Sequence, residues 1–360
     1  MTKKNNKTVF VGISGGVDSS VSAAILKSKN YNVIGVFIRT WQPDWIDCMW
    51  HNERRDAIRV CAHLNIPFVE LDLEREYKEG VADYMIREYR AGRTPNPDVM
   101  CNREVKFGGF LKWALSHGAD CVATGHYVDR RILSNGCVEM LRGNDPKKDQ
   151  SYFLWTLEQK QLRHIIFPVG NMPKSRVREL ALKYDLPTAA KKDSQGICFI
   201  GDIDMKDFLR HYIDEQPGNV ISSIGEVIGK HNGALFYTIG ERHGFTIDKK
   251  GIIDKPYYVI SKDVKKNTIT VSQYPEKETI QKKVYKLIDV IDNQNSLKEG
   301  GVVTAQIRYR GSTKKVTISE IDQHNKIAKI IFDTPDPTIT PGQSVVFYDG
   351  NVCLGGGVIS

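Results

Sequence analysis

The 360-residue chain reads as an α/β protein in three parts: a doubly wound, mostly parallel sheet, a small central domain and a C-terminal antiparallel β-barrel. Three observations predict this. Short β-branched, apolar runs alternate with helix-length segments through the first half. The character changes after Pro217-Gly218, where brief extended runs lie between turns. From Lys283 onward strand signals recur at close spacing. The expected domains are 1–205, 206–279 and 280–360.

Val9 to Ile13 is the first strand, since its β-branched and apolar residues suit a pleat buried on both faces. A glycine-rich turn leads into a helix near Ser19 to Ser28. Val33 to Ile38 is a second buried strand, Glu53 to Leu64 a helix, and Phe68 to Leu71 a third strand. A long amphipathic helix follows from Arg75 to Tyr89, then a helix from Val105 to Ser116 and a strand from Cys121 to Thr124. Strands separated by helices need crossover connections, so they pair in parallel. Lys174 to Tyr184 keeps the helical period, and Phe208-Leu209 with Tyr212-Ile213 marks another helix. Leu235 to Tyr237 and Tyr257 to Ile260 read as extended. Val284 to Val290, Val302 to Tyr309, Lys315 to Ile318, Ile327 to Phe332 and Ser344 to Tyr348 supply the barrel.

Hydrophobic residues make up 41% and charged residues 26%, the balance of an ordinary folded chain. No apolar run approaches the ~20 residues that cross a bilayer. The basic start, Met1 to Lys7, is followed only by Thr8 to Ile13 before Ser14-Gly15-Gly16, too short for a secretory signal. The reading is a cytoplasmic monomer with no membrane partner. The 7 cysteines stand at 48, 61, 101, 121, 137, 198 and 353, without a C-x-x-C pair, so no metal ligand set is assigned. An odd count in a reducing compartment argues against a disulfide framework. Any functional cysteine pair is therefore catalytic. The net charge is +8, and Arg142 to Lys192 holds 11 Lys/Arg against 5 Asp/Glu. That stretch is either a solvated helix face or a footprint for phosphate-rich nucleic acid.

Gly12-Ile13-Ser14-Gly15-Gly16-Val17-Asp18-Ser19-Ser20 joins the first strand to the first helix. Glycines let the backbone turn its N–H groups toward a phosphate, and the helix start adds unpaired donors and partial positive charge. A Walker loop needs Lys where Val17 stands, and a dinucleotide fingerprint needs Gly where Ser14 stands. The plain structural alternative is a glycine turn capped by serines. The stretch resembles the S-G-G-x-D-S PP-loop of the ATP pyrophosphatase class. That resemblance implies cleavage of ATP to AMP and pyrophosphate with adenylation of a substrate oxygen, Asp18 helping to hold Mg2+.

Two more loops bear cysteines. Arg93-Thr94-Pro95-Asn96-Pro97-Asp98-Val99-Met100-Cys101-Asn102 has the prolines and asparagines of a rigid loop. Lys192-Asp193-Ser194-Gln195-Gly196-Ile197-Cys198-Phe199 places a second cysteine after a glycine. Alone, each cysteine reads as a small core residue. Together with Ala123 to Tyr127, Lys148 to Leu154, Phe236 to Gly244, Arg308-Tyr309-Arg310 and Gly355-Gly356-Gly357, they resemble the tRNA-specific 2-thiouridylase family over nearly the whole chain.

The resemblance implies ATP-dependent 2-thiolation of uridine at wobble position 34, in tRNAs for Lys, Glu and Gln. Cys198 matches the persulfide carrier, Cys101 the nucleophile that releases the sulfur, and Asp98 a general acid or base. Gly12 through Ser19, together with Ile38 and Gly125, match the ATP site; many members carry Met where Ile38 stands. Asn96, Pro97 and Asp98 match contacts to the target base, and Lys148, Asp149, Gln150, Arg308 and Tyr309 contacts to tRNA. A cysteine desulfurase or a sulfur-relay protein is the implied donor. Lys191 and Lys192 beside Cys198, and Arg103 beside Cys101, are expected to favour thiolates. Cys48 takes no role. The residues leave two rivals, a PP-loop ligase that adenylates a small molecule and a non-catalytic tRNA-binding protein. Direct persulfide attack and prior release of hydrosulfide also stay open.

Overall fold

In the computed structural model, residues 7–46, 50–192, 204–248, 255–275, 282–336 and 338–360 are described. The first sheet contains β1 (Thr8–Gly12), β2 (Asn32–Arg39), β3 (Phe68–Asp72) and β4 (Cys121–Ala123). A hairpin of β5 (Val128–Ile132) and β6 (Val138–Arg142) follows, and β7 (Ile165–Ile166) returns to the sheet. The order is β3-β2-β1-β4-β7, every pair parallel. Side chains alternate across it as a period of two demands. Val9 and Val11 join a core with the helices Val17–Ser28, Trp50–His63 and Lys174–Lys183. Phe10 points the other way, into a core built from Tyr77, Val81, Met85, Val105 and Phe110. The sheet is thus covered on both faces, as its apolar strands predicted. The chain winds outward from β1 to β3 and then crosses back to β4. The crevice at the carboxyl ends of β1 and β4 is therefore the place where such a sheet receives a ligand.

The helical run 97–116 starts earlier than the sequence reading, which treated everything up to Asn102 as loop. The Asn96 Oδ1 accepts the Val99 N–H at 3.2 Å and Pro97 occupies the first helical position. Asparagine followed by proline signals a helix start as well as a turn, and the start prevails here. The winding is α over Pro97–Met100, π over Cys101–Phe110 and α again over Leu111–Ser116. The run 74–90 also has a π segment, Lys78–Asp83. Leu235 to Tyr237, expected to be extended, instead holds a 3-10 turn, Ala234–Phe236.

The central sheet contains β8 (Gly218–Ser222), β9 (Val227–His231), β10 (Phe245–Ile247), β11 (Tyr258–Asp263) and β12 (Thr268–Ser272), in the order β10-β9-β8-β12-β11. The last strands are β13 (Val284–Asp292), β14 (Val302–Gln306), β15 (Lys314–Asp322), β16 (Ile327–Phe332), β17 (Ser344–Asp349) and β18 (Val352–Ile359). They run β13-β16-β15-β14-β17-β18, and β18 pairs back onto β13, closing a six-stranded antiparallel barrel. The sequence reading missed β18 because its three glycines lack strand propensity. They stand where neighbours press close: a Cβ at Gly356 would lie 2.4 Å from the Val345 carbonyl oxygen and 3.1 Å from the Trp155 ring. The hairpin β5–β6 extends the barrel's sheet, since β6 pairs with β18 through Leu141↔Val352 and Met140↔Cys353. Among the described residues no helix is long and apolar enough to cross a membrane.

Candidate nucleotide and RNA site

The loop after β1 stays on the sheet because the Ile13 N–H donates to the Val36 carbonyl at 2.8 Å. Gly15 has φ +69°, and a Cβ there would sit 2.5 Å from the Glu53 carbonyl oxygen, so both backbone angle and space require glycine. Gly16 precedes the helix Val17–Ser28 in extended conformation. Ser19 Oγ accepts the Ser14 N–H at 3.3 Å and donates to the Gly16 carbonyl at 3.1 Å, while Ser20 Oγ donates to the same carbonyl at 2.7 Å. These bonds hold a turn that opens onto the unpaired N–H groups of a helix start, an arrangement suited to an anion. Gly125, just past β4, closes the crevice. A Cβ there would be 2.7 Å from the Ser19 nitrogen and 2.8 Å from the Asp18 carbonyl carbon. Ile38 is half-buried near the end of β2, in register with Leu71 of β3.

Asp18 is held from two sides. Tyr127 Oη donates to its Oδ1 at 2.7 Å, and Lys174 Nζ lies 2.7 and 2.9 Å from its two oxygens. Lys174 is absent from the sequence-derived site because nothing local marks it; only the fold brings it to Asp18. Lys191 Nζ donates to the Gly15 carbonyl at 3.1 Å and to Asp56 Oδ2 at 2.9 Å, so its charge faces the nucleotide loop. The described chain pauses after Lys192 and resumes at Asp204, and Cys198 lies outside the described residues.

The helical run 97–116 leads into β4, which puts its amino end at the same carboxyl edge of the sheet. Asp98 is half-buried in its first turn. Cys101 is 3% exposed where the winding changes to π, a local irregularity often found at functional positions. The Tyr152 hydroxyl donates to the Ile307 carbonyl at 2.7 Å, tying this segment to the barrel. Asn102 Nδ2 donates to the Phe153 carbonyl at 3.2 Å. The Thr94 N–H donates to the Pro341 carbonyl at 2.9 Å, and the Thr94 and Thr238 hydroxyls lie 3.4 Å apart. The Asp98–Cys101 turn is therefore held by the first sheet's helices, the central part and the barrel together. The Arg103 guanidinium pairs with Glu104 at 2.6 Å.

Three other cysteines have thiols raised by burial. Burial pushes the Cys61 thiol up to about 11 and Cys353 up to about 12, and it raises Cys121 as well. These three stay protonated at neutral pH, and a thiolate is the reactive form. Cys137 is half-exposed in the β5–β6 turn.

The RNA-matching residues differ in what their side chains bond. Asp149 Oδ1 accepts the Gly143 N–H at 2.9 Å and the Ser151 N–H at 3.0 Å, and its Oδ2 takes Arg142 Nη1 at 2.9 Å. Gln150 Oε1 accepts the Tyr127 N–H at 2.9 Å, and the Gln150 N–H donates to the Tyr127 carbonyl at 3.0 Å. Both side chains shape the segment from within. Lys148 and Asp149 both line a groove of about 1250 Å³ between this segment and the barrel, with Arg142, Lys147, Arg310 and Asn351. Arg308 is exposed and donates to the Thr338 carbonyl at 2.7 Å, while Tyr309 packs on Phe153 with ring centroids 4.5 Å apart. Arg310 was not among the sequence-derived contacts, although the alternation of basic and aromatic residues at 308–310 was its signal.

A family model described as "tRNA methyl transferase HUP domain" matches residues 7–202. Models described as "tRNA methyl transferase PRC-barrel domain" and "Aminomethyltransferase beta-barrel domain" match 206–273 and 285–359. The tRNA-specific 2-thiouridylase MnmA of Bacillus velezensis is 47% identical over 366 residues, spanning 100% of this chain and 96% of that protein. The tRNA-specific 2-thiouridylase MnmA 2 of Geobacillus kaustophilus is 46% identical, with coverage of 100% and 96%. The enzyme of the same name from Listeria innocua is 46% identical, with 99% and 96% covered. The model descriptions speak of methyl transfer and the relatives of thiolation. The relatives align end to end, and the nucleotide loop and both cysteine loops carry the thiolation motifs. The chain belongs to the tRNA-specific 2-thiouridylase family.

Proposed function

We propose that this protein is an ATP-dependent sulfurtransferase that converts uridine to 2-thiouridine at wobble position 34 of tRNA. The observation that carries this reading is the meeting of the nucleotide loop and the Asn96–Cys101 helix start at one edge of the sheet, beside a basic groove. The division at 1–205, 206–279 and 280–360 then assigns adenylation to the first part and RNA contacts to the last. The uracil C2 oxygen is a poor leaving group. Attack of that oxygen on the α-phosphate of ATP releases pyrophosphate and makes AMP the leaving group. Asp98 holds or moves the proton at the base. The terminal sulfur of a Cys198 persulfide attacks C2 and expels AMP. The Cys101 thiolate then attacks the Cys198 sulfur, breaking the S–S bond, so the sulfur stays on C2 and a Cys101–Cys198 disulfide remains. A dithiol reductant restores both thiols.

Mg2+ fits the residues present. Asp18 offers a hard carboxylate at an anion-binding turn. The ion would arrive with the phosphates of ATP, so a single protein carboxylate suffices to hold it. When bound, it neutralises phosphate charge. A cytoplasmic monomer that receives sulfur from a cysteine desulfurase or relay protein, and accepts tRNAs for Lys, Glu and Gln, completes the proposal.

The test is incubation with ATP, Mg2+, a persulfide donor and tRNA, followed by mass spectrometry of the nucleosides. The expected outcome is 2-thiouridine together with AMP formation that depends strictly on tRNA. Pyrophosphate release with a small molecule in place of tRNA would favour the ligase, and binding without turnover the non-catalytic reading.

A further inference from the structure

The glycines that let the nucleotide loop turn also leave one of its peptides poorly determined. Gly15 has φ +69° and Gly16 follows it, so neither side of the Gly15–Gly16 peptide carries a Cβ to resist rotation of its plane. That peptide is trans, and its N–H therefore points opposite to its carbonyl. Whatever binds the carbonyl decides where the Gly16 N–H points. The carbonyl accepts Lys191 Nζ at 3.1 Å, and the same ammonium donates to Asp56 Oδ2 at 2.9 Å. Asp56 belongs to the helix Trp50–His63. The Gly15 carbonyl thus faces Lys191 and Asp56, and the Gly16 N–H faces away from them.

Lys191 is itself anchored through its backbone. Its N–H donates to the Thr188 carbonyl at 2.9 Å and its carbonyl accepts Arg178 Nη1, while the buried Thr188 hydroxyl donates to Ser20 Oγ at 3.1 Å. The segment 188–191 therefore grips the first helix at Ser20 and the loop at Gly15. Inside the loop, Ser19 Oγ takes the Ser14 N–H. The loop's own hydroxyls fix one end of the turn, and Lys191 fixes the other. We propose that Lys191 is a positioning residue for the nucleotide site. Its ammonium holds the Gly15–Gly16 peptide in the orientation that presents the Gly16 N–H to a phosphate oxygen. A charged donor binds a carbonyl more strongly than a neutral one. Asp56 balances the charge of Lys191, so the effect on phosphate runs through the peptide. This rests on the reading that the loop binds the phosphates of ATP.

The experiment measures inorganic pyrophosphate binding to the full-length protein by calorimetry in the presence of Mg2+. In parallel, NMR of protein carrying isotope-labelled glycine follows the Gly16 amide. Pyrophosphate should shift that amide in the wild type. Lys191→Met should weaken binding about tenfold, the scale of one hydrogen bond to a charged group, and abolish the shift. Lys191→Arg should keep most of both. An Asp56→Asn background separates peptide orientation from charge balance. There Lys191→Met should still cost about tenfold. If it is silent there, Lys191 serves only as the counter-ion of Asp56 and the proposal falls. The Asp56→Asn, Lys191→Met pair leaves neither charge unmatched, so it carries the test even if Lys191→Met alone does not fold. A Gly16 amide that responds to pyrophosphate equally with lysine or methionine at 191 also overturns the proposal, as does a wild type that binds pyrophosphate without moving it. Failure of the wild type to bind pyrophosphate would instead overturn the nucleotide-site reading beneath it.

Discussion

Gly125 and Asp18 illustrate what single residues reveal and conceal. The glycine loop was legible because its chemistry is local: Ser14, Gly16 and Ser19 bond to one another within a few residues. Gly125 was assigned to the nucleotide through resemblance, and packing supplies the reason for a glycine. A methyl there would press on the Ser19 nitrogen and Asp18 carbonyl carbon, backbone atoms that cannot rotate aside. Gly125→Ala should therefore displace the start of the first helix, costing about 1–3 kcal/mol of stability as overpacking does. Thiolation should fall more than tRNA affinity. Urea denaturation, filter binding and a thiolation assay check this; a variant with wild-type stability and turnover contradicts it. The partners of Asp18 were hidden for the opposite reason. Lys174 lies 156 residues away, and no periodicity encodes an ion pair of that range.

Among the elements, strands with uniform apolar content were read correctly, and those that depart from propensity were not. β18 was lost to its glycines, and the helix start at Pro97 to its turn-like composition. Both departures serve contacts between parts of the chain: β18 lies under Trp155 from the first part, and Thr94, just before the helix start, donates to the Pro341 carbonyl of the barrel. The segment 145–150 is the element that joins the proposed nucleotide site to the basic groove. Asp145 receives the Lys174 N–H, Gln150 receives the Tyr127 N–H, and Lys148 projects into the groove. The sequence showed its charge but left open whether that charge met solvent or phosphate. If it meets phosphate, Lys148→Ala weakens tRNA binding and makes its salt dependence shallower by about one unit in the log–log slope. Asp149 and Gln150 are occupied internally, so the loss should not depend on them. An unchanged affinity and slope would return this stretch to the solvated-face reading.

At the scale of the molecule, the three sheets converge on the turn that carries Asp98 and Cys101. Thr94 meets Pro341 of the barrel and Thr238 of the central part, and the β5–β6 hairpin is continuous with the barrel's sheet. The groove proposed for RNA is thus tied to the same framework that places Cys101. Fold class was readable from element order, whereas this convergence was not, because it depends on loops that touch only after each sheet has formed. The central claim is the division of labour between two cysteines. Its most direct test loads Cys101→Ser and Cys198→Ser proteins from a radiolabelled sulfur donor, then adds ATP and tRNA. The account predicts that Cys101→Ser accepts label on Cys198 and fails to release it into free thiolated tRNA, while Cys198→Ser neither loads nor thiolates. A Cys198→Ser protein that still thiolates tRNA, or a Cys101→Ser protein that cannot be loaded, would contradict it.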